Sequence, residues 1–146
     1  MNALWLTRMC AYKRSPEALA SAKRLISLKV EREAALLKRY KREPFIPDFS
    51  AARSISDVFL VEARAARHFW SIFAELLPPD TDFISRTPRA KDPVNRLLDI
   101  GYHHVTNIVR SFLNEREVPA ALGLLHIART SNSAPLAYDL VELFRA

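Results

Sequence analysis

The apolar positions of this chain recur at helical spacing from one end to the other, and no clear alternating run of the kind a half-buried strand needs is present. Leu19, Ala22, Leu25, Ile26, Leu28, Ala34, Leu36 and Leu37 form one stripe. Ser15-Pro16-Glu17 opens it, with a capping serine, a proline in the first turn and an acid at the positive end of the helix dipole. The pattern predicts a long helix to about Tyr40, a short one before it near 4–12, and a loop over 43–50 that begins where Pro44 and Pro47 end the helix. Val58, Val61, Ala65, Phe69, Ile72, Phe73 and Leu76 mark the buried side of a second long helix. It starts near Ser54 or Ser56 and ends before Pro78-Pro79. After an irregular connection over 80–91, Asp92-Pro93 caps and opens a third, through Leu97, Leu98, Val105, Ile108, Val109 and Phe112. Pro119 is expected to open a shorter apolar helix reaching His126, Ser131-Asn132-Ser133 to turn the chain, and 134–144 to form the last helix. The expected fold is all-α, a compact bundle of five to six helices.

Composition narrows this further. A chain of 146 residues, 49% hydrophobic and 26% charged, has the size and balance of one globular domain, 1–146, with a core of its own. No apolar stretch approaches the roughly 20 residues of a membrane span, so no membrane is expected as a partner. The first ten residues lack the charged start and cleavage site of a signal peptide. The single Cys10 fits a reducing cytoplasm. The net charge of +6 is unevenly spread: residues 1–42 carry 11 of the 22 Lys and Arg but only three of the 16 acids. A basic helical front, 1–42, thus precedes a slightly acidic body, 54–146, which is either a polyanion surface or a solvated helix face.

The C-terminal segment carries the candidate chemistry. His126 follows Leu124-Leu125, and Asp139 and Glu142 lie three apart in the apolar run Leu136–Phe144, on neighbouring positions of one helical face. Burying that face is costly unless the acids are paired, protonated or bound to a cation. With Glu62, set among Ala63, Ala65 and Ala66, they outline a hard-metal site of the kind that acts on phosphodiesters. Each residue also has a bland reading: Glu62 a surface ion pair, His126 a core histidine, one of the two C-terminal acids a surface acid paired with Arg145. Oxygen ligands with one imidazole suit Mg²⁺ or Mn²⁺ better than zinc. No Ser-His-Asp or Cys-His spacing and no glycine-rich phosphate loop is evident, and nothing suggests a nucleotide cofactor.

Four segments, in order, resemble one family. They are Ala22-Lys23-Arg24-Leu25-Ile26-Ser27-Leu28-Lys29; Leu60-Val61-Glu62-Ala63-Arg64-Ala65-Ala66-Arg67-His68-Phe69-Trp70; Asp92-Pro93-Val94-Asn95-Arg96-Leu97-Leu98-Asp99-Ile100-Gly101-Tyr102; and Gly123-Leu124-Leu125-His126 with Asp139-Leu140-Val141-Glu142-Leu143-Phe144-Arg145. The chain is similar to the catalytic α-helical domain of the CRISPR-associated integrase, which inserts new spacers during CRISPR adaptation.

The resemblance implies a catalytic set of Glu62, His126, Asp139 and Glu142. Glu62, His126 and Glu142 would be the ligands of Mg²⁺ or Mn²⁺, with Asp139 in or beside the ligand shell. It implies DNA as substrate, both protospacer and CRISPR repeat, and strand transfer of a 3′-hydroxyl onto a phosphodiester. Lys38, Arg39, Lys41 and Arg42 in the basic helix, with Arg64, Arg67 and Arg86, would hold phosphates. Asn95 and Tyr102 fall on the family signature, which makes Asn95 a candidate contact to DNA, with helix packing as the alternative for both. Family members are homo-oligomers, contact a small partner subunit of the adaptation complex, and begin with a β-rich domain that this chain is expected to lack. The alternative is a truncated or split member serving as a non-catalytic DNA-binding or interaction module.

Overall fold

The computed structural model describes residues 3–128, 130 and 133–145, and among these there are helices and irregular segments but no strand. The order is α1 (Ala3–Lys13), α2 (Pro16–Arg39), α3 (Ile55–Leu76), a 3-10 turn (Pro79–Thr81), α4 (Pro93–Glu115), α5 (Pro135–Val141) and a closing 3-10 turn (Glu142–Phe144). The all-α expectation holds. No helix of the described residues is long and apolar enough to cross a membrane.

Two of the three long helices, α3 and α4, begin where the sequence offers partners for the free amides of the first turn. At α3, Ser54 and Asp57 form a reciprocal capping box: the Asp57 amide donates to Ser54 Oγ at 3.1 Å and the Ser54 amide to Asp57 Oδ2 at 2.9 Å. At α4, Asp92 accepts from the Asn95 amide at 2.8 Å. Ser15 takes the capping position of α2 with extended backbone, but its hydroxyl makes no capping hydrogen bond, and Pro16 starts the helix instead. α2 ends with Lys41 in the left-handed region (φ 57°) and Arg42 donating back to the Leu37 carbonyl.

The helices pack in two pairs. α2 lies on α3 through Ala22, Ile26, Val30, Val58 and Ala65, with Phe49 and Ala52 of the connecting loop and Leu125 closing the layer. Burial of each large side chain such as Ile26 or Val58 contributes about 1.5–3 kcal/mol. α4 lies on α5 through Val109, Leu113, Ala134, Ala137 and Val141. The closing turn at Glu142–Phe144 packs on α2, where Arg32 donates to the Leu143 carbonyl. The two pairs therefore meet at Glu142.

Two local expectations change. Residues 119–128 form no helix but an irregular segment. The amides of Leu124, Leu125 and His126, which a helix would give to carbonyls four residues back, go instead to the Asp139 carboxylate. Gly123 permits this path: a Cβ there would lie 2.5 Å from Pro135 Cβ and 2.6 Å from the His126 carbonyl oxygen. The last helix is shorter than 134–144, since α5 ends at Val141 and the chain tightens to 3-10 geometry from Glu142. On α4, Leu97, Ile108 and Phe112, apolar positions through which the helix is traced in the sequence, are 68%, 56% and 50% exposed. This helix carries two apolar faces, and packing on α5 covers only one of them. Of the expected turn at Ser131-Asn132-Ser133, the first two residues lie outside the described ones.

Candidate metal centre

Four of the sequence-predicted residues converge where α2, α3, the 119–128 segment and the C-terminal turn meet, in two differently built halves. In the first, Glu62 on α3 and Glu142 on the closing turn approach one ammonium, that of Lys29 on α2. Lys29 Nζ donates to Glu62 Oε1 at 2.6 Å and lies 2.9 Å from Glu142 Oε2. Arg145 Nη1 donates to the other Glu142 oxygen at 2.7 Å. All three members of the Lys29 cluster are largely withdrawn from solvent, with side-chain exposures of 10%, 15% and 6% for Lys29, Glu62 and Glu142.

Such a cluster survives burial because opposite charges offset the loss of hydration. Burial alone would push the Lys29 ammonium down, but the carboxyls of Glu142, Glu62 and Glu33 more than offset this and hold it above its ordinary value. For Glu142 the same balance runs the other way: burial raises it, and Lys29 and Arg145 bring it below the usual glutamate range. Glu33, one turn beyond Lys29 on α2 and only 3% exposed, has no such release. Burial pushes its carboxyl up to about 7, with the Lys29 charge only partly opposing and Glu62 and Glu142 adding to the rise.

In the second half, the Asp139 carboxylate accepts from the amides of Leu124, Leu125 (3.1 Å) and His126 (3.0 Å), and lies 2.7 Å from His126 Nδ1. A carboxylate is an acceptor, so the Nδ1 proton belongs to the histidine, and in the neutral imidazole of that tautomer the lone pair is on Nε2. The imidazole is held edge-on between Phe59 and Tyr138, with centroids 6.1 and 6.0 Å away. His126 and Glu142 line one cavity of about 300 Å³ with Arg86, Tyr102, Thr106, Tyr138, Val141 and Arg145.

Two carboxylates and an imidazole nitrogen are the donor chemistry of a hard divalent cation. Among the described residues, however, no three acidic, histidine or cysteine side chains are gathered tightly enough to hold an ion as they stand. Between Glu62 and Glu142 the positive charge is that of Lys29. Asp139, grouped with these ligands in the sequence, is saturated by amides and by His126; its geometry suits orienting the histidine rather than binding an ion.

The basic residues divide as well. Lys38, Arg39, Lys41 and Arg42 are exposed near the C-terminal end of α2, at least about 14 Å along the helix from Lys29 at 1.5 Å per residue. Arg64 and Arg67 are exposed on α3 beside Glu62, and Arg67 lines a groove of about 430 Å³ with Glu62, Trp70 and Arg86. Arg86 itself is largely committed: it bonds Asn95 Oδ1 at 2.9 Å, pairs with Asp99 and lies 5.3 Å from the centroid of the Tyr102 ring. Only its Nε is left buried without a partner. Asn95 is 1% exposed, accepts from Arg86 and the Thr87 amide, and donates to the Ser85 carbonyl and Asp92, which leaves no polar atom free for DNA. Tyr102 donates to the Arg145 carbonyl and stacks under its guanidinium, 4.7 Å from the ring centroid.

The family described as CRISPR associated protein Cas1 matches residues 2–146, the whole chain but its first residue. The chain belongs to the Cas1 family. It is 29% identical over 157 aligned residues to a CRISPR-associated endonuclease Cas1 of Saccharolobus solfataricus, covering 98% of this chain and 44% of that protein. Among solved structures it superposes on a partial Cas6-RT-Cas1–Cas2 complex with TM-score 0.78 and 25% identity, over 94% of this chain and 45% of that one. A casposase bound to its integration product shares the fold, with TM-score 0.78 at 23% identity over 94% of this chain and 42% of that one. The chain thus spans at most about half the length of the Cas1 relatives it matches, and the part it shares with them is the helical part described here.

Lys29, Glu33 and the double role of Asp99 in fixing Arg86 and the Arg89 amide are the site features that the sequence reading missed. A signal for the first two was present. Lys29 and Glu33 sit between Ile26, Val30 and Leu37 on the apolar stripe of α2, where charged residues have no reason to lie unless they meet partners in the interior.

Proposed function

We propose that this Cas1-family chain carries the catalytic half of a metal-dependent DNA integrase or endonuclease of CRISPR adaptation, with Glu62, His126 and Glu142 as ligands of Mg²⁺ or Mn²⁺. The observation that carries this is the convergence of Glu62 and Glu142, 80 residues apart, on one buried cationic point, with His126, its Nδ1 held by Asp139, lining the same cavity as Glu142. An ion bound there supplies a Lewis acid for a phosphoryl oxygen and lowers the pKa of an attacking hydroxyl.

The protein's own groups do the rest. Asp139 holds the imidazole in one tautomer and one orientation. Arg86, its guanidinium held by Asn95 and Asp99, adds positive charge at the edge of the groove beside Glu62. Arg64 and Arg67 flank the groove, and Lys38, Arg39, Lys41 and Arg42 extend the phosphate-binding face along α2. Such contacts position a duplex without reading its sequence. With a DNA 3′-hydroxyl as nucleophile the reaction is strand transfer; with water it is cleavage. The Cas1–Cas2 assembly and the integration product named for the two solved structures support DNA and a small partner subunit as what this fold works with.

A second reading, a DNA-binding or interaction module without catalysis, draws on the ammonium seated between the two acids. The deciding experiment is Mn²⁺-dependent joining of a short duplex with free 3′-hydroxyls into supercoiled plasmid. The purified chain is expected to yield joined product that is absent with Glu142→Ala or with chelator. DNA binding with no joined product in any divalent metal would favour the second reading.

A further inference from the structure

Lys29 raises a problem for its own site. Its ammonium lies 2.6 Å from Glu62 and 2.9 Å from Glu142, within the space that a divalent ion shared by those carboxylates must enter at roughly 2.0–2.6 Å from each oxygen. Two cations cannot occupy that space: at about 4 Å, like charges repel by several kcal/mol in a partly buried setting. The lysine stem is long and rotatable, and a second acceptor is within its reach. Glu33 follows four residues later on α2, on the same helical face and one turn away. It is 3% exposed, and the ion pairs of Lys29 go to Glu62 and Glu142 instead. Glu33 lines a small cavity with Val30, Ala34, Leu37, Ala65, His68 and Phe69.

We propose that Lys29 is a built-in competitor for the divalent cation: its ammonium bridges Glu62 and Glu142 in the metal-free protein and moves one helical turn to Glu33 when an ion enters. The lysine keeps two buried carboxylates from repelling each other while the site is empty of metal, and Glu33 keeps the displaced ammonium from being left without a partner. The α2 helix is then part of the metal centre although it contributes no ligand. Metal affinity is set by an exchange of one cation for another, which tunes it below that of a bare three-ligand site. The inference rests on the ligand reading given above.

The test is Mn²⁺ affinity by titration calorimetry, with thermal melting in chelator and in Mn²⁺, for the wild-type chain, Lys29→Met, Glu33→Gln and Glu142→Gln. Lys29→Met should bind Mn²⁺ roughly tenfold or more tightly than wild type. It should melt lower in chelator and gain more from Mn²⁺ than wild type does. Glu33→Gln should bind several-fold more weakly, because the displaced ammonium has lost its acceptor. Unchanged or weaker binding by Lys29→Met, with Glu142→Gln impaired, would overturn the exchange while leaving the ligands in place. If Lys29→Met does not fold in chelator, Glu33→Gln decides: affinity equal to or above wild type overturns the proposal. If Glu142→Gln binds Mn²⁺ as wild type does, the ligand reading fails and the exchange falls with it.

Discussion

Asp139 and Glu142 stand one helical turn apart and look interchangeable in the sequence, yet the protein surrounds them with opposite kinds of partner. Asp139 is satisfied by peptide amides and an imidazole, all from 124–126, a stretch that would otherwise have no regular structure to hold it. Glu142 is satisfied by charged side chains, Lys29 from a distant helix and Arg145 from the next turn. The difference is one of exchangeability. Backbone amides cannot leave, so Asp139 is a fixed structural bolt for the histidine loop. Side-chain cations can leave, so Glu142 is poised to trade one positive partner for another.

The strongest way to break this contrast is to remove each carboxylate in turn. Asp139→Ala should cost about 3–5 kcal/mol in urea unfolding, since it strips three amides and the histidine of their acceptor at once. Glu142→Gln should cost less than half of that, because Lys29 keeps Glu62 as a partner. Equal losses at the two positions would mean that Glu142 is as structural as Asp139.

The second test uses pH, to which side-chain charges respond and amides do not. Glu33 sits at about 7 in the fold against an ordinary 4.5, so between those values the folded state holds a proton that the unfolded chain has released. Stability is then highest below about 4.5, declines as the pH rises to 7 and is flat above that, by about 3 kcal/mol in all. Glu142 has the opposite sign: depressed in the fold, it stabilises above its unfolded value and loses that contribution as the pH falls through its lowered one. Glu33→Gln should match wild type at pH 4.5 and exceed it by about 2–3 kcal/mol at pH 8, as read by urea midpoints. A variant that tracks wild type at both pH values would show Glu33 to be ionised without penalty.

These contrasts also explain what the chain made legible. Helix starts were readable because they are local: Ser54 with Asp57 and Asp92 with Asn95 sit three residues apart and make the bonds that their spacing announces. Glu62, His126, Asp139 and Glu142 also stood out, as polar residues in apolar surroundings that the family resemblance groups together. What could not be read locally was who satisfies whom. The Asp139 carboxylate takes over the amides that a 119–126 helix would have used, so a long-range bond erased an element that local pattern alone predicts. Lys29 merged with the basic residues of α2 because counting charge along a helix does not say which face each charge is on. The exposed stripe Leu97, Ile108 and Phe112 escaped for the same reason in reverse, since periodicity finds apolar faces but not the partner that covers them.

The smallest effect separates the two cations on Glu142. Arg145 is the more exposed, at 31% against 10% for Lys29, and it divides its charge between the carboxylate and the Tyr102 ring. Solvent screening weakens such a pair, so a double-mutant cycle of Arg145→Met with Glu142→Gln should return a coupling of about 1 kcal/mol or less, falling further at high salt. The matching cycle of Lys29→Met with Glu142→Gln should return more and depend less on salt, because that pair is withdrawn from the ions that screen it. If the Arg145 cycle gave the larger coupling, the principal counter-charge of Glu142 would come from its own turn. α2 would then lose its part in holding the acid, and the contrast with Asp139 would shrink to one between two locally satisfied carboxylates.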